Sequence, residues 1–136
     1  MIREADKTDV YSLVSIYEQC FPGKGYLLNN VLLSFDTKTL IYGQKSYADG
    51  MIVSMIDCGD PWIWILAVRP DFQGQGIGTS LLKEIEKYYT KEINLYVNVD
   101  NPAQKLYFDN GYRVKKVLKD IYDGGDALHM RKKLNN

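Results

Sequence analysis

The sequence predicts an α/β (α+β) fold: a mixed, mostly antiparallel central sheet of six to seven strands with flanking helices. Three observations carry this expectation. Strand-like runs at 39–45, 51–56 and 62–68 follow one another across the turn signals "YADG" and "CGDP", the pattern of an antiparallel meander. A run with helical spacing, Ile77, Leu81, Ile85 and Tyr88, comes next and leads into an alternating strand, so helix and strand interleave in the second half. Two further strand-like runs, 112–122 and 127–133, close the chain as a hairpin around "DGGD".

The elements follow in order. Residues 2–4 read as a short first strand. Across 9–20, Val10, Leu13, Val14 and Tyr17 share one helical stripe, which Pro22 and Gly23 end. A second short helix is expected at 27–35. In the third meander strand Trp62 and Trp64 alternate with Ile63 and Ile65, which places both tryptophans on one sheet face. The helix after the meander is expected over 78–90. Ile93, Leu95, Val97 and Val99 then alternate with Asn94, Tyr96 and Asn98, a strand with one buried and one polar face. In "DNPAQKLYF", Asn101 is suited to cap a short helix and Pro102 to its first turn. The basic cluster "RVKKVLK" (113–119) alternates with apolar residues as the solvent face of a strand does.

Composition narrows the function. With 136 residues, 46% of them hydrophobic, the chain fits one domain spanning 1–136. Lys plus Arg balance Asp plus Glu at 17 each, which argues against a nucleic-acid partner. The charged start and the absence of a long apolar run predict neither a signal peptide nor a membrane span, hence a cytoplasmic protein. Cys20 and Cys58 lie in unrelated contexts without a CxxC or Cys/His cluster, so reduced structural thiols are expected and no metal.

The stretch "RPDFQGQGIGTSLLKEIEKYY" packs three glycines into five positions at the mouth of a helix. A strand, a glycine loop and a helix N-terminus make an anion site, because unpaired N–H groups and the positive end of the helix dipole meet there. The P-loop pattern fails, since no Lys follows Gly78. The dinucleotide fingerprint also fails: Gly74 and Gly76 fit, but Thr79 holds the third glycine position, and Asn98 stands where an acidic residue is needed. The spacing that fits is Gln-x-x-Gly-x-Gly, at Gln73, Gly76 and Gly78 after "AVRPDF".

Here the chain resembles the GNAT superfamily of N-acetyltransferases, whose pyrophosphate-binding loop reads [Gln/Arg]-x-x-Gly-x-[Gly/Ala] before a helix. "VDNPAQKLYFDNGY" resembles that superfamily's downstream segment as well, so the likeness covers residues 60–134. The resemblance implies a GNAT-like domain with a V-shaped splay between the strands at 62–68 and 92–99, and acetyl-CoA as cosubstrate. Implied cofactor contacts are the strand backbone at Leu66, Ala67 and Val68, the loop residues Gln73, Gly74, Gln75, Gly76, Ile77, Gly78 and Thr79, and Asn101 toward the thioester arm. The stretch from Asn101 to Tyr107 is one residue shorter than the family spacing, so Asp100 competes with Asn101 for that place.

For the chemistry, Tyr107 matches the family tyrosine that gives its proton to the departing CoA thiolate. Free N–H groups near Ala67 and Val68 are the implied oxyanion donors. No base is assigned: "WIWILAV" holds no carboxylate, and Leu95 or Tyr96 stands where one relative has its glutamate. Asp57, Asp123, Asp126 and His129 are the remaining titratable candidates, with His129 read as a non-catalytic strand residue. The ending "KDIYDGGDALHMRKKL" resembles that of RimI-like protein N-terminal acetyltransferases, which implies a protein or peptide N-terminus as acceptor, with Tyr122 contacting it. The alternatives are a small-molecule amine acetyltransferase and a non-catalytic CoA-binding module. Monomer and homodimer both remain open.

Overall fold

In a computed structural model, which describes residues 1–22, 37–44, 46–122 and 125–135 and all their side chains except those of 121 and 122, seven strands join in one sheet. They are β1 (Ile2–Glu4), β2 (Thr37–Gln44), β3 (Tyr47–Asp57), β4 (Asp60–Val68), β5 (Glu92–Asn98), β6 (Arg113–Tyr122) and β7 (Gly125–Lys133), in the order β1-β2-β3-β4-β5-β7-β6. Every neighbouring pair is antiparallel except β4 and β5, which run parallel. Helices α1 (Val10–Cys20), α2 (Ile77–Glu86) and α3 (Ala103–Asp109) complete the described fold. The mixed, mostly antiparallel sheet with helices is the fold class expected from sequence.

Two core clusters cover the two faces of the sheet. On one, Ile77, Leu81, Leu82 and Ile85 of α2 pack with Leu40, Ile52, Ile63, Leu95 and Met130. On the other, Leu13 and Ile16 of α1 pack with Ile41, Met51, Val53, Ile65 and Ala67. The buried stripe of α1 runs through Ser12, Leu13 and Ile16 rather than through Val10. Ser12 is drawn inward by polar contacts: its Oγ accepts from the N–H of Ala48 at 2.7 Å and from Arg69 Nη2 at 3.3 Å.

Several boundaries differ from expectation for identifiable reasons. "YADG" is not a turn but the start of β3, and Gly50 lies inside that strand. A Cβ on Gly50 would stand 2.9 Å from Ile77 Cγ2 and 3.3 Å from Leu81 Cδ1, so this glycine makes room for α2. "CGDP" does turn, with Cys58 and Gly59 both at positive φ between β3 and β4. Helix α2 stops at Glu86 instead of reaching residue 90; Tyr88 is exposed, and Tyr89 takes the inward place, its hydroxyl 2.6 Å from Ser54 Oγ. In β6 the valines at 114 and 117 are exposed along with the lysines, because β6 is the edge strand and a register shift lies between Val114 and Lys116. The expected helix at 27–35 lies outside the described residues. Both cysteines are free thiols. Among the described residues no helix is long and apolar enough to cross a membrane.

Leu81 is fully buried between α2 and the sheet. Leu81→Ala is expected to lower unfolding free energy by about 2–5 kcal/mol, measured by urea denaturation.

Candidate functional site

The site begins where β4 and β5 part. Their parallel pairing holds only at Trp62↔Asn94 and Ile63↔Leu95. Beyond it, among the described residues, the edge of β4 that faces β5 has no strand partner, and the two strands part into a V. The cause is visible on the other edge of β4, where Val53 pairs with Ile65 and its neighbour Ser54 with Ile63, leaving Trp64 as the extra residue of a β-bulge.

The bulge also reverses the side-chain alternation. Ile63 belongs to the α2-side core and Ile65 to the α1-side core, although they are two positions apart. The expectation that Trp62 and Trp64 share a face by simple alternation therefore fails: period-two reasoning does not carry across an inserted residue. Trp64 is 43% exposed.

At the end of β4 the chain is anchored before it turns. The Arg69 guanidinium is buried, with Nε donating to Ala48 O at 2.8 Å and Nη1 to Ser15 Oγ at 3.2 Å. The Val68 carbonyl accepts from Gln73 Nε2 at 3.0 Å and from Cys20 Sγ at 3.3 Å. Gln73 thus clips the loop back onto β4. Gly74 and Gly76 follow with φ of 81° and 85°, and Gly76 caps α2. A Cβ at either would meet nothing within 4 Å, so these glycines are required by backbone conformation, and the space above them is open. Among the described residues no carbonyl or side chain accepts from the N–H groups of Gly74 to Thr79. These donors suit an anion such as a pyrophosphate. Gly78 differs: its Cβ would lie 3.1 Å from Leu106 Cδ2, so it lets α3 approach α2.

Tyr107 lies on α3 and is 7% exposed, in the same core as Ile77 and with Leu66 and Val68 packed against that core. Its ring meets Tyr112 edge-on at 5.8 Å. Among the described residues, Thr39 Oγ1 and Asp49 Oδ1 are the buried side-chain atoms sealed without a partner. Among the described residues the Tyr107 hydroxyl has no hydrogen-bond partner. Burial pushes its pKa up to about 12. Tyr112, fully buried, donates to Glu86 Oε2 at 2.9 Å, and Lys132 Nζ donates to Glu86 Oε1 at 2.8 Å. Burial and the Glu86 charge both push the Tyr112 hydroxyl up, keeping it a donor.

Pro102, not Asn101, stands at the N-cap of α3; Asn101 lies one residue before it, its Oδ1 accepting from the Ala103 N–H at 2.9 Å, while Asp100 is exposed. Both border an open depression of about 500 Å³ lined also by Val99, Gln104 and Phe108. Neither the glycine loop nor β4 lines that depression, so it is distinct from the V between β4 and β5.

The opposite face of the V holds a constellation that spacing alone did not reveal. Trp62 of β4, Tyr96 of β5 and His129 of β7 stack together, with ring centroids 4.7 Å apart for Trp62 and Tyr96 and 4.9 Å for Trp62 and His129. His129 Nε2 lies 2.9 Å from Oδ1 of the buried Asn94. Desolvation first, then the nearby Lys115, Arg131 and Lys116, hold the imidazole below its ordinary pKa. Trp62, Tyr96 and His129 are more than 30 positions apart in sequence and meet only through strand order; Tyr96↔His129 pairing is the register that joins the last two.

The remaining titratable candidates stand apart. Asp126 accepts from Lys119 and from the Asp120 N–H, and the Asp120 N–H followed by Lys119 holds its carboxyl below the usual range. Asp57 is exposed beside the β3–β4 turn. Asp123 and the Tyr122 side chain lie outside the described residues, and the Tyr122 backbone pairs with Gly125 at the end of β6. Among the described residues no three His, Cys, Asp or Glu converge on a metal site.

The family profile described as an acetyltransferase (GNAT) domain matches residues 38–114, more than half of the chain. An uncharacterized N-acetyltransferase of Methanocaldococcus jannaschii is 43% identical over 94 residues, covering 64% of this chain and 60% of its own length. The chain therefore spans less than two thirds of that curated relative. The structure is similar to that of the ribosomal-protein-S18-alanine N-acetyltransferase of Escherichia coli, with a TM-score of 0.85 and 22% identity over 100% of this chain and 94% of that one. It is similar also to an aminoglycoside 6'-N-acetyltransferase complexed with coenzyme A, with a TM-score of 0.87 and 14% identity over 98% and 96%.

Proposed function

Because this chain belongs to the acetyltransferase (GNAT) domain family, we propose that it moves the acetyl group of acetyl-CoA onto a primary amine, with a protein or peptide N-terminal α-amine as acceptor. One observation carries the reading: among the described residues, the N–H groups from Gly74 to Thr79 have no acceptor, and they follow the end of β4 whose edge toward β5 is unpaired. A pyrophosphate on that loop leaves a pantetheine arm to follow Leu66, Ala67 and Val68 into the V, with Asn101 near the arm. The donor set suits this group, since close approach of phosphate needs bare backbone and Gly74 and Gly76 leave the space open.

In the V the amine lone pair attacks the thioester carbonyl. The N–C bond forms, the C–S bond breaks, and the proton shed by nitrogen is matched by one delivered to sulfur. Backbone N–H groups on the free edge of β4 near Ala67 and Val68 stabilise the oxyanion. Tyr107 donates to the departing sulfur. A hydroxyl ionising near 12 stays protonated at neutral pH, and the burial that raises it raises a neighbouring thiolate from its ordinary value of about 8.5 in the same direction, which narrows the gap between them.

The peptide acceptor is supported by the likeness of the chain's ending to RimI-like enzymes and by the similar fold of the S18-alanine enzyme; Tyr122 then contacts the first residues of the substrate. The similar fold of the aminoglycoside enzyme supports a small amine as the second reading.

Acetyl-CoA is expected to raise the melting temperature more than NAD or ATP does, and to release thiol with N-terminal peptides. Gly76→Asp, which sets a strained residue and a negative charge at the loop, is expected to lose the acetyl-CoA shift. Stabilisation without thiol release on any peptide or small amine would instead indicate a CoA-binding module. Tyr107→Phe is expected to lower kcat about 100-fold with acetyl-CoA affinity unchanged; an unchanged kcat reduces Tyr107 to a packing residue. Tyr122→Ala is expected to raise the peptide KM with little change in kcat, whereas an equal KM removes Tyr122 from the acceptor site.

A further inference from the structure

On the face of the V away from α2, one imidazole is held in a single neutral tautomer. Asn94 Nδ2 donates to Pro61 O at 3.3 Å, which turns its Oδ1 toward His129 Nε2 at 2.9 Å. An amide oxygen only accepts, so Nε2 carries the hydrogen and Nδ1 carries the lone pair. No described residue donates to Nδ1. Stacking on Trp62 and contact with Tyr96 fix the ring plane.

The location matches what an incoming ammonium needs. Tyr96 directly follows Leu95, the last residue of β5 paired to β4, and is 47% exposed, so its ring forms a wall of the V on this side. Aromatic faces attract an ammonium. Charged groups face His129 from its own strand, Arg131 of β7, and from two further strands, Lys115 and Lys116 of β6 and Glu92 of β5, the last paired to Arg131 at 3.3 Å. Burial first, and then these cations against the opposing Glu92, keep the imidazole neutral to receive a proton, and the cations favour loss of a proton from a bound ammonium.

We propose that His129 is the residue that receives the proton of the acceptor ammonium: Nδ1 takes one proton from the R–NH3+ group, the nitrogen keeps the electron pair as R–NH2 for attack, and the imidazolium returns the proton to water. Asn94 is the positioning residue that holds the required tautomer. The inference rests on the acetyltransferase reading.

His129 is the single histidine of the chain, which makes the test direct. In a nitrogen-15 correlation spectrum of the whole chain, one imidazole is expected as the Nε2–H tautomer, titrating below the ordinary value of about 6.5. Asn94→Ala is expected to lose the tautomer preference. An Nδ1–H tautomer in the parent chain overturns the proposal without any activity measurement. In thiol-release assays with trialanine, the acid limb of kcat/KM is expected to follow the imidazole in the parent chain. In His129→Gln it is expected to move up to the α-amine's own pKa of about 8. The loss is then about 10-fold at pH 7 and disappears above pH 9 or so. A pH-independent loss, or none, removes His129 from proton transfer while leaving the acetyltransferase reading intact. Absence of thiol release in the parent chain with every amine overturns both.

Discussion

The parting of β4 from β5 is the constraint on which the rest of the site depends. A parallel pair normally continues along both strands, since each unpaired backbone group forfeits a hydrogen bond. Here pairing ends after Ile63 and Leu95, and the bulge at Trp64 accounts for it. An extra residue bends the strand and sharpens its twist, so β4 follows β3 and leaves β5 behind. The bulge also assigns Ile65 and Ala67 to the α1 core and Leu66 and Val68 to the α2 core. One inserted residue thus opens the cleft and keeps both of its walls packed.

The glycine loop depends on that strand being held at its far end. Arg69 is buried against Ala48, Ser12 and Ser15, which ties the exit of β4 to β3 and α1. Burying a guanidinium is costly unless its donors are met, and here a carbonyl and two hydroxyls meet them. Gln73 then folds its amide back to the Val68 carbonyl. The two left-handed glycines can turn freely into α2 because the strand before them cannot move, and so the helix N–H groups converge on one point above the V.

Two electrostatic environments flank the cleft. On the α2 side burial dominates: Tyr107 is kept protonated by desolvation, and the Glu86 carboxylate is satisfied by Tyr112 and Lys132. On the other side cations surround a neutral imidazole, and an amide fixes which nitrogen bears its hydrogen. The two roles proposed for acyl transfer from sulfur to nitrogen, a proton donor at Tyr107 and an acceptor at His129, rest on this contrast.

What the sequence by itself determined was everything encoded locally. Hydrophobic alternation marked β2 to β5, the Gln73-Gly76-Gly78 spacing marked the anion loop, and "NPAQKLYF" marked the capped helix bearing Tyr107, because each signal lies within a dozen residues and follows from backbone geometry. The family resemblance added the splay, which the strand pairing bears out, and the expectation of acetyl-CoA. Tertiary structure decided the rest. The bulge at Trp64 leaves no composition signal, since an inserted residue in an apolar run looks like any other, and it undid the alternation assigned to the two tryptophans. Gly50 reads as a turn glycine until α2 is seen lying against it. The cluster of Trp62, Asn94, Tyr96 and His129 comes from three strands that are neighbours in the sheet but distant in the chain. Strand order and register are long-range properties, and no local pattern of residues contains them.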